Sequence, residues 1–412
     1  MICNSNSQLS LPFYIIQSDW NDVFVRSKRN DSIWISSKIF GETKRRNYKL
    51  LVQNNSIQLD EGIIDFSIVN VTSKCLIIED KLSKVITRFL PPIKSYASIH
   101  SKSITSLDVA LNGIAVSSST DETLKTWDTQ AGQLKEQLMG HFLDVNKCRF
   151  FPSNEVILSA GSDMQLKIWS AINGSCAATL RGHTGAINDI SIVDRGRNII
   201  SVGQDGKVKL WNCGKQECIE NIFDLSQQDE HENNLRINSC AIRSIEGFDL
   251  GQRSDQKHED AIGTEDKLLL IGTESGFVYG IGVHSKKPVI KVRCNSSVNC
   301  VTFNDTHNFA FGTQSGQLYQ YNLHRPDEPI TCESNSTSPI LSIRSVNKPM
   351  VGLVIGRQDG TVSYITKEMN QMIHLTGSDC DPIYDIAYDG KFIFTACRDG
   401  KVRKYLLDNC FP

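Results

Sequence analysis

Net charge is what this sequence has least of. The formal value is −2 over 412 residues, so no global pull toward nucleic acid or an anionic membrane is expected, and any electrostatic function must be local. A metal-binding cysteine pattern is missing as well. The 13 cysteines are scattered with no C-x-x-C, which argues against a disulfide framework and a zinc module and predicts reduced, mostly buried thiols. The first 20 residues carry no basic leader, and no run approaches the 18 apolar residues of a membrane span. These absences predict a soluble intracellular protein with no cofactor, no metal, no nucleic-acid partner and no membrane partner. Enzyme signatures are missing too: G-x-x-x-x-G-K-S/T, G-x-S-x-G, H-E-x-x-H and a strand-helix G-x-G-x-x-G are all absent. No enzymatic activity is therefore expected.

What the chain does have is an internal repeat. Gly140-His141 to Trp169 and Gly182-His183 to Trp211 each run 28 residues from His to Trp, and Trp127, Trp169 and Trp211 stand 42 residues apart. Each tryptophan closes a similar segment, "STDETLKTWD", "GSDMQLKIWS" and "GQDGKVKLWN", with an Asp six residues before it. Three copies agreeing in spacing and residue type constitute the WD40 signature. The same frame places Ile281, Tyr321, Ile365 and Tyr405 where later tryptophans would stand. A second register of alternating apolar residues begins near Ile104, Val145, Ile187, Ile237, Val298, Ile340 and Ile383, each reading as a first strand. Seven first strands and seven third strands predict an all-β, seven-bladed WD40 β-propeller.

In that fold family His100, Ser119, Asp121 and Trp127 resemble a hydrogen-bonded structural tetrad. His141, Asp163 and Trp169 match it, as do His183, Asp205 and Trp211. Gly161 and Gly203 stand where a hydroxyl is expected, so those two tetrads should be incomplete. After Tyr405 too little chain remains to finish the seventh blade, and "KVITRFL" at 84–90 is expected to complete it. The propeller is thus placed at 83–412, after a small β-rich N-terminal domain at 1–82 built on "SIWISSKI", "KLLVQ", "IIDFSIV" and "KCLIIED". Two basic runs there, "RSKRNDS" and "ETKRRNYK", read as solvated loops. Trp211 to Ile281 is roughly 30 residues longer than the repeat requires. The excess falls at 224–236 and 246–267, both polar and acidic, as in surface loops.

Two places look chemical. His141 and Asp144 flank a turn, but the repeat assigns His141 to packing. "TGSDCDPIYDI", residues 376–386, sets Cys380 between Asp379 and Asp381; a thiol or metal site would need a third group, and His374 is expected to lie in a strand, buried or pointing away. Aligning the stretch on "LRGHTGAINDI" puts Ser378 where His183 stands, so the seventh blade should lose part of its tetrad. It also puts Cys380 in the loop entering that blade, packed there. Loops of that class share a rim with the turns carrying the repeat Asp. Gathered on the rim are Asp379, Asp381, Asp144, Glu122, Glu274, Asp229, Glu230 and Glu232, a negative surface suited to a basic protein partner.

"IHSKSITSLDVA", "DVNKCRFFPS", "QLKIWSA", "IVDRGRNIIS", "LTGSDCDPIYDIA", "CRDGKVRKY" and "IQSDW" go beyond the generic repeat. They resemble the proteasomal ATPase-associated factor family, most closely over 99–212 and 374–407. The resemblance implies a monomeric cytoplasmic and nuclear chaperone. It would bind the C-terminal domain of a proteasomal ATPase subunit, assist assembly of the 19S regulatory particle base and restrain premature docking on the 20S core. The alternative is a substrate receptor of a cullin-type ubiquitin ligase. Such receptors commonly carry Trp-Asp-x-Arg, whereas the tails here are "WDTQ", "WSAI" and "WNCG", without the Arg.

Overall fold

All seven alternating segments open strands at the residues where the alternation starts. The computed structural model has inner strands Ile104–Val109, Val145–Phe150, Ile187–Val193, Ile237–Ser244, Val298–Phe303, Ile340–Val346 and Ile383–Tyr388. It describes residues 8–9, 13–27, 31–38, 45–53, 56–59, 63, 65–228, 234–251, 258–333, 336–348, 350–366 and 371–410. Each inner strand starts an antiparallel sheet, and each packs beside the inner strand of the next blade. The last of them packs on the first, which closes the ring.

The third strands repeat one register. Trp127 pairs with Ala115, Trp169 with Ile157 and Trp211 with Ile199, while Ile281, Tyr321, Ile365 and Tyr405 occupy the same rung in later blades. All seven are buried. A blade cannot cover both its faces alone, so these large residues pack against the adjoining blade and the burial of each depends on the ring.

The seventh blade closes differently from the expectation. Its fourth strand is Lys94–Tyr96, paired with Val402–Leu406, not the segment at 84–90. Ile86–Leu90 instead lies parallel to Gln371–Leu375, the outer strand of blade six. Pro91-Pro92 explains the switch: two residues without an N–H cannot continue a ladder, so the chain leaves one sheet and enters the next. Ile93 N then donates to Lys404 O at 2.8 Å.

As a result blade six grows into a seven-stranded sheet, extended by Ile86–Leu90, Cys75–Asp80 and Phe66–Thr72. Phe13–Ile16, Asp31–Lys38, Arg46–Gln53 and Ser56–Gln58 form a separate N-terminal sheet. A short helix, Trp20–Arg26, which the strand pattern did not anticipate, buries Trp20 and Phe24. These elements share one apolar cluster with Leu76, Ile78 and Phe89. The N-terminal layer therefore packs on the extension of blade six. Trp20 Nε1 donates to Thr376 Oγ1 at 3.2 Å, and Thr376 N donates to Leu90 O at 2.7 Å. In the basic runs, residues 28–30 and 42–44 lie outside the described residues; Arg46 is ion-paired with Asp65.

Candidate protein-binding rim

One hydrogen bond, made in every blade, builds the rim. The first residue of the turn between the second and third strands donates its N–H to the carbonyl of the loop entering the same blade. The seven bonds are Thr120 to Ser103, Ser162 to Asp144, Gln204 to Ala186, Glu274 to Arg236, Gln314 to Ser297, Gln358 to Pro339 and Arg398 to Pro382. Entry loops and turns are thereby held on one face, including the 376–386 stretch.

Beneath that face the tetrads fasten the blades. His141 Nδ1 lies 2.9 Å from Asp163 Oδ2, its Nε2 lies 2.7 Å from Ser159 Oγ, and Trp169 Nε1 donates to the same hydroxyl at 2.8 Å. His183, Asp205, Ser201 and Trp211 repeat the arrangement. Both sets are complete, contrary to the expectation from Gly161 and Gly203. In blade one the hydroxyl belongs to Ser117, which meets His100 Nε2 at 2.9 Å and Trp127 Nε1 at 3.1 Å. Ser119 is not the tetrad member; its Oγ accepts from Asp121 N. Residues two apart share a strand face, so face alone did not separate 117 from 119. The discriminating signal was a serine ten residues before each tryptophan. Gly161 has its own reason: a Cβ there would sit 2.9 Å from His141 Nδ1 and 2.8 Å from Asp163 Oδ1.

Burial by itself would raise the pKa values of Asp121, Asp163 and Asp205, but hydrogen bonds and charge from the paired histidines, together with hydrogen bonds from neighbouring turn residues, hold all three below the ordinary carboxylate value. Because one hydroxyl serves two buried nitrogens, Ser201→Ala strands both His183 Nε2 and Trp211 Nε1. A cost of about 1–3 kcal/mol for each orphaned group is expected. Ser119→Ala should cost distinctly less in the same urea unfolding measurement; equal losses would refute the reassignment.

Blade seven replaces the missing histidine. Ser378 donates to Gly360 O, and Arg403 takes over Asp399, with Nη2 2.5 Å from Oδ2. Burial pushes the Asp399 pKa up, but Arg403, with hydrogen bonds from Cys397 and the Lys401 backbone, brings it below the ordinary value. Gly377 is required by its backbone, at φ +116° with Arg403 and Pro92 packed 3.2 Å from any Cβ.

The expected rim carboxylates do not all face solvent. Asp379, Glu122 and Asp144 are exposed. Asp381 is half-buried and ion-paired with Arg398 at 3.0 Å. Glu274 turns inward, accepting from Asn238 Nδ2 at 2.8 Å and Ser297 Oγ at 2.9 Å. Asp229, Glu230 and Glu232 lie outside the described residues. Cys380, expected to be packed, is exposed and stands in the left-handed region at φ +59°. His374 is buried in its strand between Phe13 and Phe89. Burial, reinforced by Arg357, lowers its pKa to about 4. Among the described residues, no three His, Cys, Asp or Glu side chains converge as a metal site would require.

Inside the rim an axial cavity of about 740 Å³ is lined in part by four latches that the repeat motifs did not reveal. Asn146, Asn188, Asn238 and Asn299 each donate from Nδ2 to the carbonyl that opens the next blade's inner strand, at Ile187, Ile237, Val298 and Ile340. Each asparagine is the second residue of its inner strand, a periodic polar signal that could have been read.

Residues 132–170, 174–212 and 369–405 match the WD domain, G-beta repeat. Proteasomal ATPase-associated factor 1 of Gallus gallus is 42% identical over 406 residues, covering 95% of this chain and 98% of that protein. The Homo sapiens protein of that name is 44% identical over 346 residues, covering 84% and 86%. A probable proteasomal ATPase-associated factor 1 of Dictyostelium discoideum is 36% identical over 416 residues, covering 96% of each. With identity sustained across both the N-terminal layer and the propeller, this chain belongs to the proteasomal ATPase-associated factor family.

Proposed function

We propose that this protein is a non-enzymatic chaperone that binds the C-terminal domain of a proteasomal ATPase subunit through its rim. In this reading it acts as a monomer in the cytoplasm and nucleus, assisting assembly of the 19S base and restraining early association with the 20S core. Family membership across 95% of the chain carries the reading. Supporting it, the rim presents Asp379, Glu122 and Asp144 to solvent. Like-signed exposed carboxylates on one face steer a basic partner and raise its association rate, and salt weakens the effect. They repel nucleic acid for the same reason.

The test is charge reversal at the two exposed entry-loop positions, Asp379→Lys with Asp144→Lys. Capture of purified regulatory-particle ATPase domains should fall about tenfold or more at low salt and recover toward wild type at high salt. Unchanged capture with an intact fold would remove the rim from the mechanism. Asp381 is a poorer choice, because its reversal would set two cations against each other at Arg398.

A further inference from the structure

An apolar cluster interrupts the acidic rim at the junction of blades one and two. Met139, Phe142, Leu143 and Met164 are 70%, 69%, 51% and 43% exposed. Three of them sit in the loop entering blade two. Met164 sits in the turn tied to that loop by hydrogen bonds from Phe142 N to Asp163 Oδ2 and from Ser162 N to Asp144 O. Leu82 and Leu111, by contrast, stand singly in their turns, which is ordinary for a protein surface.

Folding does not require these residues. Counting from the tetrad histidines, Phe142 and Leu143 stand where blade three has Thr184 and Gly185 and blade one has Ser101 and Lys102. Both of those blades build the same loop and the same His-Asp contact with polar or small residues. Large apolar side chains held in water where neighbouring repeats manage without them mark a contact surface.

Charge frames the cluster. Asp144 follows Leu143 directly, and the pairing of Leu124 with Leu138 brings Glu122 and Met139 out at the same end of blade one. Lys125 is turned onto Ile99 O and Lys102 onto Thr120 O, both backbone carbonyls. We propose that Met139, Phe142, Leu143 and Met164 form the apolar anchor site for the partner. It takes a segment of the ATPase domain that presents a bulky aliphatic or aromatic side chain flanked by lysines or arginines, the cations meeting Glu122 and Asp144. The inference rests on the proposed partner and adds to it the position and chemistry of the contact.

Full-length wild type, Phe142→Thr/Leu143→Ser and Phe142→Leu are compared for capture of the purified C-terminal domains of the regulatory-particle ATPases, at low and high salt. The double variant should melt as wild type does, since both residues are exposed, and should capture at least about tenfold less. Its deficit should persist at high salt, because apolar burial is not screened. Phe142→Leu, which keeps apolar surface, should retain most of the capture. Equal capture by wild type and the double variant, or a deficit that salt abolishes, would overturn the anchor site and leave the proposed function standing. Failure of wild type to capture any of the ATPase domains would overturn both.

Discussion

Replacing Asp385 with alanine is expected to cost about 3–5 kcal/mol, the penalty for stranding buried opposite charge. This carboxylate sits in the inner strand of blade seven and ties three consecutive blades across the point of ring closure. Ser106 Oγ donates to it at 2.6 Å and Leu107 N at 3.2 Å, both from blade one. From blade two, Lys147 lies 3.3 Å away and Arg149 3.2 Å. Removing it leaves two cations facing each other beside the axial cavity with weaker compensation; Lys147 is 3.9 Å from Asp189.

The acid limb of the stability profile provides an independent check. Burial would raise the Asp385 pKa, but Lys147, Arg149 and the Ser106 hydrogen bond hold it far below the ordinary value. A carboxylate depressed in the folded state stabilises above its unfolded pKa, near 3.9, and that stability drains away as the pH falls below it. Wild type should therefore lose stability below about pH 4 more steeply than Asp385→Ala. Replacing Asp385, Lys147 and Arg149 together with apolar residues of similar volume should regain much of the loss. Urea unfolding across pH gives all three numbers. A cost under about 1 kcal/mol for the single variant would mean the cations find other partners.

Trp20→Ala is expected to release the N-terminal layer rather than to open the ring. Trp20 is fully buried, and truncating a buried tryptophan costs about 3–5 kcal/mol. Its loss also frees Thr376 Oγ1 from the indole N–H at the root of the blade-seven entry loop. Tyr405 OH still donates to Thr376 O at 2.8 Å, and the strands at 66–90 remain hydrogen-bonded into blade six. Limited proteolysis should then cut within residues 1–65 and leave a resistant propeller fragment that retains Trp127, Trp169 and Trp211. Trp20→Phe, which keeps most of the packing, should resist cleavage. Simultaneous loss of all fragments would show that ring and layer unfold as one unit.

The 376–386 stretch shows how far reading from sequence reached. Its position as a rim loop followed from the repeat spacing, and so did the exposure of Asp379. The residue in it with the largest structural consequence, Asp385, drew no attention, because nothing local distinguishes a strand aspartate facing solvent from one facing Arg149 of another blade. Asp381 and Glu274 looked equivalent to Asp379, yet one is engaged by Arg398 and the other by Asn238 and Ser297. Nothing in the sequence marks Phe142 and Leu143, because an apolar pair beside an inner strand reads as core until the loop is seen to face water.

The sequence by itself determined the repeat, the number of blades, the first residue of every inner strand and the family. The first three depend on periodicity along the chain, which is local, and the family on short stretches that go beyond the repeat. Tertiary structure alone decided that Lys94–Tyr96 closes blade seven while Ile86–Leu90 widens blade six, that Ser117 rather than Ser119 completes the first tetrad, and which rim carboxylates remain free. Each of those outcomes turns on a register or a charge pair between segments distant in sequence, set when the ring closes.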